Sequence, residues 1–246
     1  MESKNLPFGI YCPQIGSIHV SHEASTVTDD SRYSTREVIG IITWLFDNLD
    51  YIQRTYSKVN LFTRRIKFDM TSTVVIVTPF EAQRDLLRKA LEYVAYRCDF
   101  AGKLENIACL TLDELWARGR NSSILIFSPT YGSDDYWEYI RDNYNLIDKA
   151  FSWPKHYVFV FGESNDTHAR WRKYLKGYLD KTYRSIPYQL DGNNLDRSLH
   201  QRYNIREMLL EWMRSEGYVV TDPSDRWIPG TLENLRMAPD GDFVIY

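Results

Sequence analysis

The residues best placed to do chemistry follow a run of four apolar β-formers at 74–77. Thr78 and Pro79 come directly after this run, and Glu81 and Gln83 fall in the first turn of the helical pattern that follows. Because proline suits the first position of a helix and threonine suits its cap, we expect the helix to begin at Pro79. Ligands of parallel α/β sheets bind at the carboxyl ends of the strands, so this turn is where a site is expected.

Other residues of chemical interest give weaker support for a site. His19, His22 and Glu23 are metal-ligand types, but strand residues three apart point to opposite faces of a sheet. The acidic pair 134–135 is explained by a helix start, where negative charge complements the helix dipole. No serine lies in a Gly-x-Ser-x-Gly turn. We therefore predict no metal ion and no serine hydrolase chemistry.

Short apolar runs alternate with helical patterns along most of the chain, which favours an α/β protein with a mainly parallel, three-layer sheet. Helices are expected after a cap at Ser34 or Thr35, after Pro79, and after a cap at Asn165 or Thr167. Further helices are predicted at 134–149 and 198–216. Strands are predicted at 17–20, 74–77, 107–110, 124–127 and 156–161.

The composition of the sequence changes after about residue 180, where turn-forming residues become frequent. We therefore divide the chain into an N-terminal segment at 1–16, an α/β domain at 17–181 and a helical, loop-rich C-terminal extension at 182–246. The extension ends in proline- and glycine-punctuated sequence that predicts one short hairpin.

The composition and net charge of the chain favour some classes of protein over others. Hydrophobic residues make up 43% of the 246 residues, which is ample for a core, and the formal net charge is −3. A net-acidic chain lacks the charge of a dedicated nucleic-acid binder, although local basic clusters remain. Three unpaired cysteines, no secretory start and no run of roughly 20 apolar residues predict an intracellular protein without a membrane partner. The compartment stays open between nucleus and cytoplasm.

Aromatic residues reach 15% of the chain, and basic residues cluster at 64–67 and 170–176. The aromatic side chains can be ordinary core and surface packing, or stacking platforms for bases. The second basic cluster, with Trp171 and Tyr174 interleaved, can be a solvated helix face or a contact for a nucleic-acid backbone.

Five segments, in order, resemble the second RecA-like domain of superfamily 1 helicases, nearest to those related to the nonsense-mediated-decay helicase and senataxin. The string TPFEAQ at 78–83 is similar to the family's ITPYxxQ element, and Ser31, Ser34 and Glu37 to its Ser-x-x-Asn-x-x-Glu helix start. The other three are 107–128, similar to TVDSFQGRE and the strand after it, 146–162, similar to VALTRAKHYLIIVG, and 165–178, similar to the closing helix.

The resemblance implies a RecA-like fold and a contact with single-stranded RNA or DNA. Carried over residue by residue, it assigns that contact to Thr78, Pro79, Gln83, Thr111 and Asp113.

The departures from the family concern its ATP chemistry. The arginine of the TRAK element, which reaches the γ-phosphate in active relatives, is replaced here by Trp153. In the FQGRE element, Trp116 stands at the glutamine position and Ala117 at the glycine position. The chain contains no G-x-x-x-x-G-K-[ST] phosphate loop and no Asp-Glu pair ending a strand before Ser17.

These departures predict a degenerate helicase-like domain with no catalytic residues and no ATPase activity of its own, kept as a nucleic-acid- or protein-binding module. The alternative is the second half of an ATP-dependent helicase whose P-loop half lies on another chain. No cofactor is expected, and ATP would bind only when such a P-loop domain is present in trans.

Overall fold

The computed structural model describes most of the predicted α/β region and parts of the C-terminal extension. The described residues are 14–20, 26–28, 31–59, 66–98, 104–118, 122–130, 143–162 apart from 144 and 148, 195–220, 235–237 and 243–245.

A seven-stranded sheet forms the centre of the molecule. Its strands lie in the order β10-β11-β1-β9-β8-β6-β7, and all neighbours are parallel except β10 and β11. They are β1 (Gln14–His19), β6 (Val74–Thr78), β7 (Ala108–Thr111), β8 (Ile124–Phe127), β9 (Tyr157–Gly162), β10 (Leu235–Met237) and β11 (Phe243–Ile245). Two small hairpins lie outside the sheet: β2 (Thr26–Val27) with β3 (Arg32–Tyr33), and β4 (Lys58–Val59) with β5 (Ile66–Lys67).

Five α-helices are described with both ends. They are α1 (Thr35–Tyr56), α2 (Met70–Thr73), α3 (Glu81–Arg97), α4 (Leu112–Arg118) and α5 (Leu195–Ser215). A 3-10 turn spans Leu104–Asn106, and a helical segment that ends at Phe151 is described in part between residues 143 and 151.

Alternate residues of the central strands enter two separate cores, because successive strand side chains point to opposite faces. In β6, Val74 and Ile76 join one core, and Val75 and Val77 join the other. The first core is covered by α1, α3 and α5, and the second by α4 and the 143–151 helical segment. The protein is therefore α/β with helices on both faces of a mainly parallel sheet.

The apolar content of the central strands accounts for this arrangement. Every residue of β6 and β8 is buried, as expected for parallel strands covered on both faces. Helix α1 begins at the predicted cap, where the Ser34 hydroxyl accepts from the Glu37 backbone N–H, and Val38, Ile41 and Ile42 are fully buried.

The C-terminal part of the chain packs onto the same sheet. Helix α5 buries Leu209 and Met213 against α1 and α3, and the ring of Trp212 stacks on Tyr93 with 5.0 Å between centroids. The β10–β11 hairpin extends the sheet beside β1. The domain boundary at residue 182 stays a prediction.

The predicted strands and helices within the described residues are confirmed, with shifts of a few residues at their ends. One helix start is wrong: α3 begins at Glu81 after a cap at Phe80, and not at Pro79. The reason is that Thr78 still belongs to the ladder, paired with Thr111, so the chain bends at Pro79 before the helix can begin. Most of the predicted helix 134–149 and all of that at 165–178 lie outside the described residues.

Candidate functional site

The strand order reverses between β6 and β8, because the chain leaves β6 towards β7 and leaves β8 towards β9. Such a reversal is the usual ligand crevice of an open α/β sheet. It is bounded here by Thr78 at the end of β6, by Pro79 and Phe80 after it, and by residues 128–130 after β8. The Ser128 backbone N–H donates to the Val77 carbonyl at 2.8 Å, which holds the two loops side by side.

A buried hydrogen-bond network fills this crevice. Gln83 is fully buried, and its Nε2 donates to Ser128 Oγ at 2.9 Å while its Oε1 accepts from the Ser34 backbone N–H at 2.8 Å. Ser128 Oγ donates in turn to Glu37 Oε2 at 2.6 Å, and the same oxygen accepts from the Thr130 backbone N–H at 3.0 Å. The network therefore fastens the start of α1, the start of α3 and the end of β8 to one another.

Glu37 is the acidic residue of the network, and its side chain does not close the usual capping box. In a capping box, the Glu37 side chain would accept a hydrogen bond from the backbone N–H of Ser34, but Gln83 Oε1 accepts from that N–H instead. The carboxyl group reaches the residues that follow β8 instead. The sequence interpretation missed this role, although the Ser34-x-x-Glu37 spacing is itself the signal of a helix start.

Thr130 has a backbone φ of 58°, in the left-handed region that β-branched residues rarely adopt. Its N–H donates to Glu37, and its Oγ1 donates to the Pro129 carbonyl at 2.6 Å. Strain of this kind costs about 1–3 kcal/mol and persists only where the surroundings impose it. The bond to Glu37 is one contact that holds Thr130 in this conformation.

The residues predicted to contact nucleic acid do meet at one edge, but they differ in accessibility. Thr78 and Thr111 are register partners at the ends of β6 and β7, and both are buried. Gln83 is buried within the network, Pro79 is half-buried and Asp113 is exposed. Pro79 and Asp113 therefore offer side-chain surface, while the other three support the edge from inside.

Two residues that the sequence interpretation did not select lie beside Pro79. The guanidinium of Arg32 sits over the ring of Phe80, with 5.3 Å between Cζ and the ring centroid, and both side chains are half-buried. The hydroxyl of Ser31, the residue before Arg32, accepts from the Ala82 backbone N–H at 3.0 Å. Ser31 thus caps α3, a task for which Phe80 has no side-chain group.

Helix α4 begins with a reciprocal capping box. Thr111 Oγ1 accepts from the Glu114 backbone N–H at 3.3 Å, and Glu114 Oε2 accepts from the Thr111 N–H at 2.9 Å. The other oxygen of Glu114 accepts from Arg84 Nη1 at 2.8 Å, which ties α4 to α3. The Thr111 hydroxyl is therefore used within the fold.

The two tryptophans that the sequence resemblance aligns with polar helicase residues are in contact. The rings of Trp116 and Trp153 lie 5.6 Å apart, edge to face at 88°. Trp153 packs against the second core, whereas Trp116 is 42% exposed. Lys149 places its ammonium group 4.8 Å from the Trp116 ring centroid, in a cation–π contact. We call Trp116, Trp153 and Lys149 the tryptophan corner.

The tryptophan corner lies away from the carboxyl edge that holds the buried network. Trp153 comes before β9, and the first residue of β9, Tyr157, pairs with Ile124 at the start of β8. The backbone N–H of Lys155 donates to the carbonyl of Ser122, which also precedes β8. Trp153 is therefore near the amino ends of the parallel strands, and the molecule has two distinct candidate surfaces.

Among the residues that the structure describes, no group of three or more His, Cys, Asp or Glu side chains is placed to hold a metal ion. His19 ends β1, while His22, Glu23 and the pair 134–135 lie outside the described residues. In the same described part of the chain, no helix has the length and apolar character needed to span a bilayer.

The comparisons with known proteins find no match, either to a protein family or to an individually curated protein. The function must therefore be argued from the two surfaces themselves.

Proposed function

We propose that this chain is a degenerate superfamily 1 helicase-like domain with a RecA-like fold, which does not hydrolyse ATP by itself and serves as a binding module. The observation that carries the proposal is the edge-to-face contact between Trp116 and Trp153. In active relatives these two positions hold a glutamine and the arginine that reaches the γ-phosphate. A tryptophan offers no guanidinium to stabilise transition-state charge, and losing such an arginine costs several orders of magnitude in rate.

The buried network supports the proposed family. Three of the five resembling segments contribute to it: the segment at 31–37, the segment at 78–83 and the segment at 107–128, through Ser128. Residues that resemble family positions at separate places in the sequence are thus hydrogen-bonded to one another. This is expected if their spacing is inherited from a common fold.

The carboxyl edge supports single-stranded nucleic acid as a ligand of the module. Arg32 and Phe80 provide a cation and an aromatic ring next to Pro79, and Asp113 lies in the first turn of α4, just after the neighbouring strand β7. Aromatic rings stack on bases without sequence preference, and arginine adds a charge for the phosphates. The edge therefore provides both kinds of contact that a single strand requires.

The test combines binding with hydrolysis. Labelled single-stranded RNA and DNA are titrated with the full chain at two salt concentrations, with and without ATP, and phosphate release is measured in parallel. We expect salt-sensitive binding that ATP does not change, and no phosphate release above background. Phe80→Ala should weaken binding about tenfold, since one stacked base is worth about 1–3 kcal/mol.

The matched control is Tyr96→Ala, because Tyr96 is 85% exposed and lies on α3 away from the edge. It should bind as the unmodified chain does. ATP hydrolysis by the chain alone, or an ATP-dependent affinity, would contradict the proposal. Hydrolysis that appears only when a P-loop domain is added would instead favour the alternative of a split helicase.

A further inference from the structure

We propose that the side chains of Arg88 and Glu114 protect the outer edge of β7 from pairing with another strand, and that without Arg88 two copies of the chain pair through β7. The inference goes beyond the proposed function, because it concerns the backbone of β7 and involves neither nucleic acid nor ATP. The observation that carries it is an edge strand whose outward backbone groups are hydrogen-bonded to charged side chains.

Strand β7 lies at one end of the sheet. Within the described part of the chain, its only strand neighbour is β6, which pairs with it in parallel through residues 75–78 and 108–111. The other side of β7 therefore carries backbone N–H and C=O groups that no described strand uses. Such an edge is a template for pairing with another chain, and natural proteins protect such edges with charged side chains.

The outward groups of β7 are hydrogen-bonded to side chains from α3 and α4. The Cys109 carbonyl accepts two hydrogen bonds from Arg88, at 3.1 Å from Nε and 2.8 Å from Nη2. The Thr111 backbone N–H donates to Glu114 Oε2 at 2.9 Å. Because the backbone of a strand repeats every two residues, Cys109 and Thr111 direct these groups to the same side of β7. The two side chains thus cover the side that faces away from β6.

Arg84 helps to hold the two covering side chains in place. Arg88 Nη2 lies 3.8 Å from Glu114 Oε2, and Arg84 Nη1 donates to Glu114 Oε1 at 2.8 Å. A strand that paired with β7 would displace the Arg88 guanidinium from the Cys109 carbonyl and would take these charged groups out of water. Burying charges without new partners is unfavourable, so the edge stays closed while Arg88 is present.

The sequence of β7 is suited to pairing once the edge is uncovered. It reads ACLT, with no charged side chain and no proline, and uncharged segments without proline are those that most readily pair with other chains. A second copy presents the same edge. Two identical edges pair about a two-fold axis, which makes the two β7 strands antiparallel and ends the assembly at a dimer. A second copy of this chain is therefore the occupant that we infer.

Sedimentation velocity of the full chain at rising concentration, with reductant present, tests the inference with Arg88→Ala. Arg88 is exposed, so this change leaves both cores intact. We expect Arg88→Ala to form a dimer that dissociates on dilution, with an affinity at least about tenfold higher than that of the unmodified chain. Hydrogen exchange should show that the backbone amides of 107–111 gain protection in the dimer. Arg88→Lys keeps the charge and one donor group, and should restore the monomer.

Two controls separate an open edge from other causes of association. Arg97→Ala removes the same charge from an exposed position near the end of α3, and should sediment as the unmodified chain does. Gly217→Ala replaces a glycine with a φ of +81° and should lower stability without touching β7, so it tests whether destabilisation alone causes association. If Arg88→Ala does not fold, Arg88→Met takes its place, because methionine keeps an unbranched apolar side chain and a high helix propensity.

Four outcomes would overturn the inference. The Arg88→Ala and Arg88→Met chains fold but associate no more tightly than the unmodified chain. Arg97→Ala or Gly217→Ala associates as strongly as Arg88→Ala. The dimer forms without added protection at 107–111, which would place the contact elsewhere. Neither Arg88 variant folds, which would make Arg88 a residue needed for the fold itself. Each of these outcomes leaves the proposed function intact.

Discussion

Glu37 joins the start of α1 to the residues that follow β8. Its Oε2 accepts from both Ser128 Oγ and the Thr130 backbone N–H, and it is only 3% exposed. Both bonds lie in a buried setting, where hydrogen bonds are stronger than at the surface. Removing the carboxylate leaves the Thr130 N–H without this acceptor in a strained backbone conformation.

We therefore predict that Glu37→Ala lowers the free energy of unfolding by about 3 kcal/mol, since each buried polar group left unsatisfied costs about 1–3 kcal/mol. Glu37→Gln keeps one carbonyl acceptor and should cost less than half as much. Urea unfolding followed by circular dichroism measures both variants. Equal losses in the two variants would mean that the acceptor is not the source of stability.

The Trp116–Trp153 contact makes a separate prediction about stability. Edge-to-face aromatic pairs contribute about 0.5–1.5 kcal/mol beyond the area that they bury. A double-mutant cycle with Trp116→Ala, Trp153→Ala and the double variant should give a coupling free energy of about 1 kcal/mol. The cycle subtracts the free energy that each ring contributes by its own burial, so the coupling free energy reports only the contact between the two rings. Additive losses would show that the rings do not stabilise each other.

At this scale, the sequence indicated the residues of the site but not their partners. The resemblance selected Glu37, Gln83 and Ser128, each within its own segment. Ser128 lies 45 residues from Gln83 and 91 from Glu37, and no local pattern reports a contact at such separations. The left-handed backbone of Thr130 could not be predicted from the sequence either, because it is held by a bond to Glu37, which lies in another segment of the chain.

The secondary-structure elements show where local rules suffice and where they do not. The strand run at 74–77 and the periodicity of α3 depend only on neighbouring residues, and both were predicted. The start of α3 was placed too early, because its cap is supplied by Ser31 from a loop 51 residues away. A threonine followed by proline is a good local signal, but the tertiary cap and the ladder at Thr78 override it.

Helix α5 ends in a Schellman motif that depends on one glycine. Gly217 has φ of +81°, its N–H donates to the Arg214 carbonyl, and the Tyr218 N–H donates to the Met213 carbonyl at 2.9 Å. The motif directs Tyr218 back to the domain, where its ring contacts Tyr33 edge to face at 5.5 Å. The next residue, Val219, donates its N–H to the hydroxyl of Tyr33 at 3.3 Å.

We predict that Gly217→Ala destabilises the protein by about 1 kcal/mol, because a Cβ is disfavoured in the left-handed region. The cause is purely conformational, since no atom lies within 4 Å of the position a Cβ would take. Glu216→Ala, at the exposed neighbouring residue, should change stability by less than about 0.5 kcal/mol. Thermal unfolding compares the two variants. An equal loss of stability in both variants would mean that the helix end as a whole, and not the φ of Gly217, determines the effect.

Across the whole molecule, the two cores differ in what completes them. The core under α1 and α3 is closed by α5 from the C-terminal extension, whereas the core under α4 is closed by residues 147–151. The sequence predicted α5 as a helix but gave no sign of where it packs. An amphipathic pattern shows that a helix has an apolar face. It does not show which face of the sheet this helix will cover.

The buried residues also determine how stability responds to pH. Burial raises the pKa of the Cys109 thiol to about 12, from 9.0, and burial also raises the pKa of the Tyr157 phenol above its ordinary value. In both cases the folded state holds the proton more tightly than the unfolded state. The stabilisation from Cys109 is therefore complete below pH 9 and is lost as pH rises from 9 towards 12, whereas the stabilisation from Tyr157 is lost only as pH rises above the ordinary phenol pKa of 10.0.

We predict that the free energy of unfolding falls above pH 9, with Cys109 contributing a slope of up to about 1.4 kcal/mol per pH unit. Because Cys109 is 1% exposed, the solvent screening that weakens such effects at a surface is small there. Urea unfolding at intervals from pH 7 to pH 10.5 measures the slope. Cys109→Ala lowers stability at every pH through lost packing, yet it should run parallel to the unmodified chain below pH 9 and fall less steeply above it. If the two chains gave parallel curves over the whole pH range, burial would not raise the pKa of the Cys109 thiol.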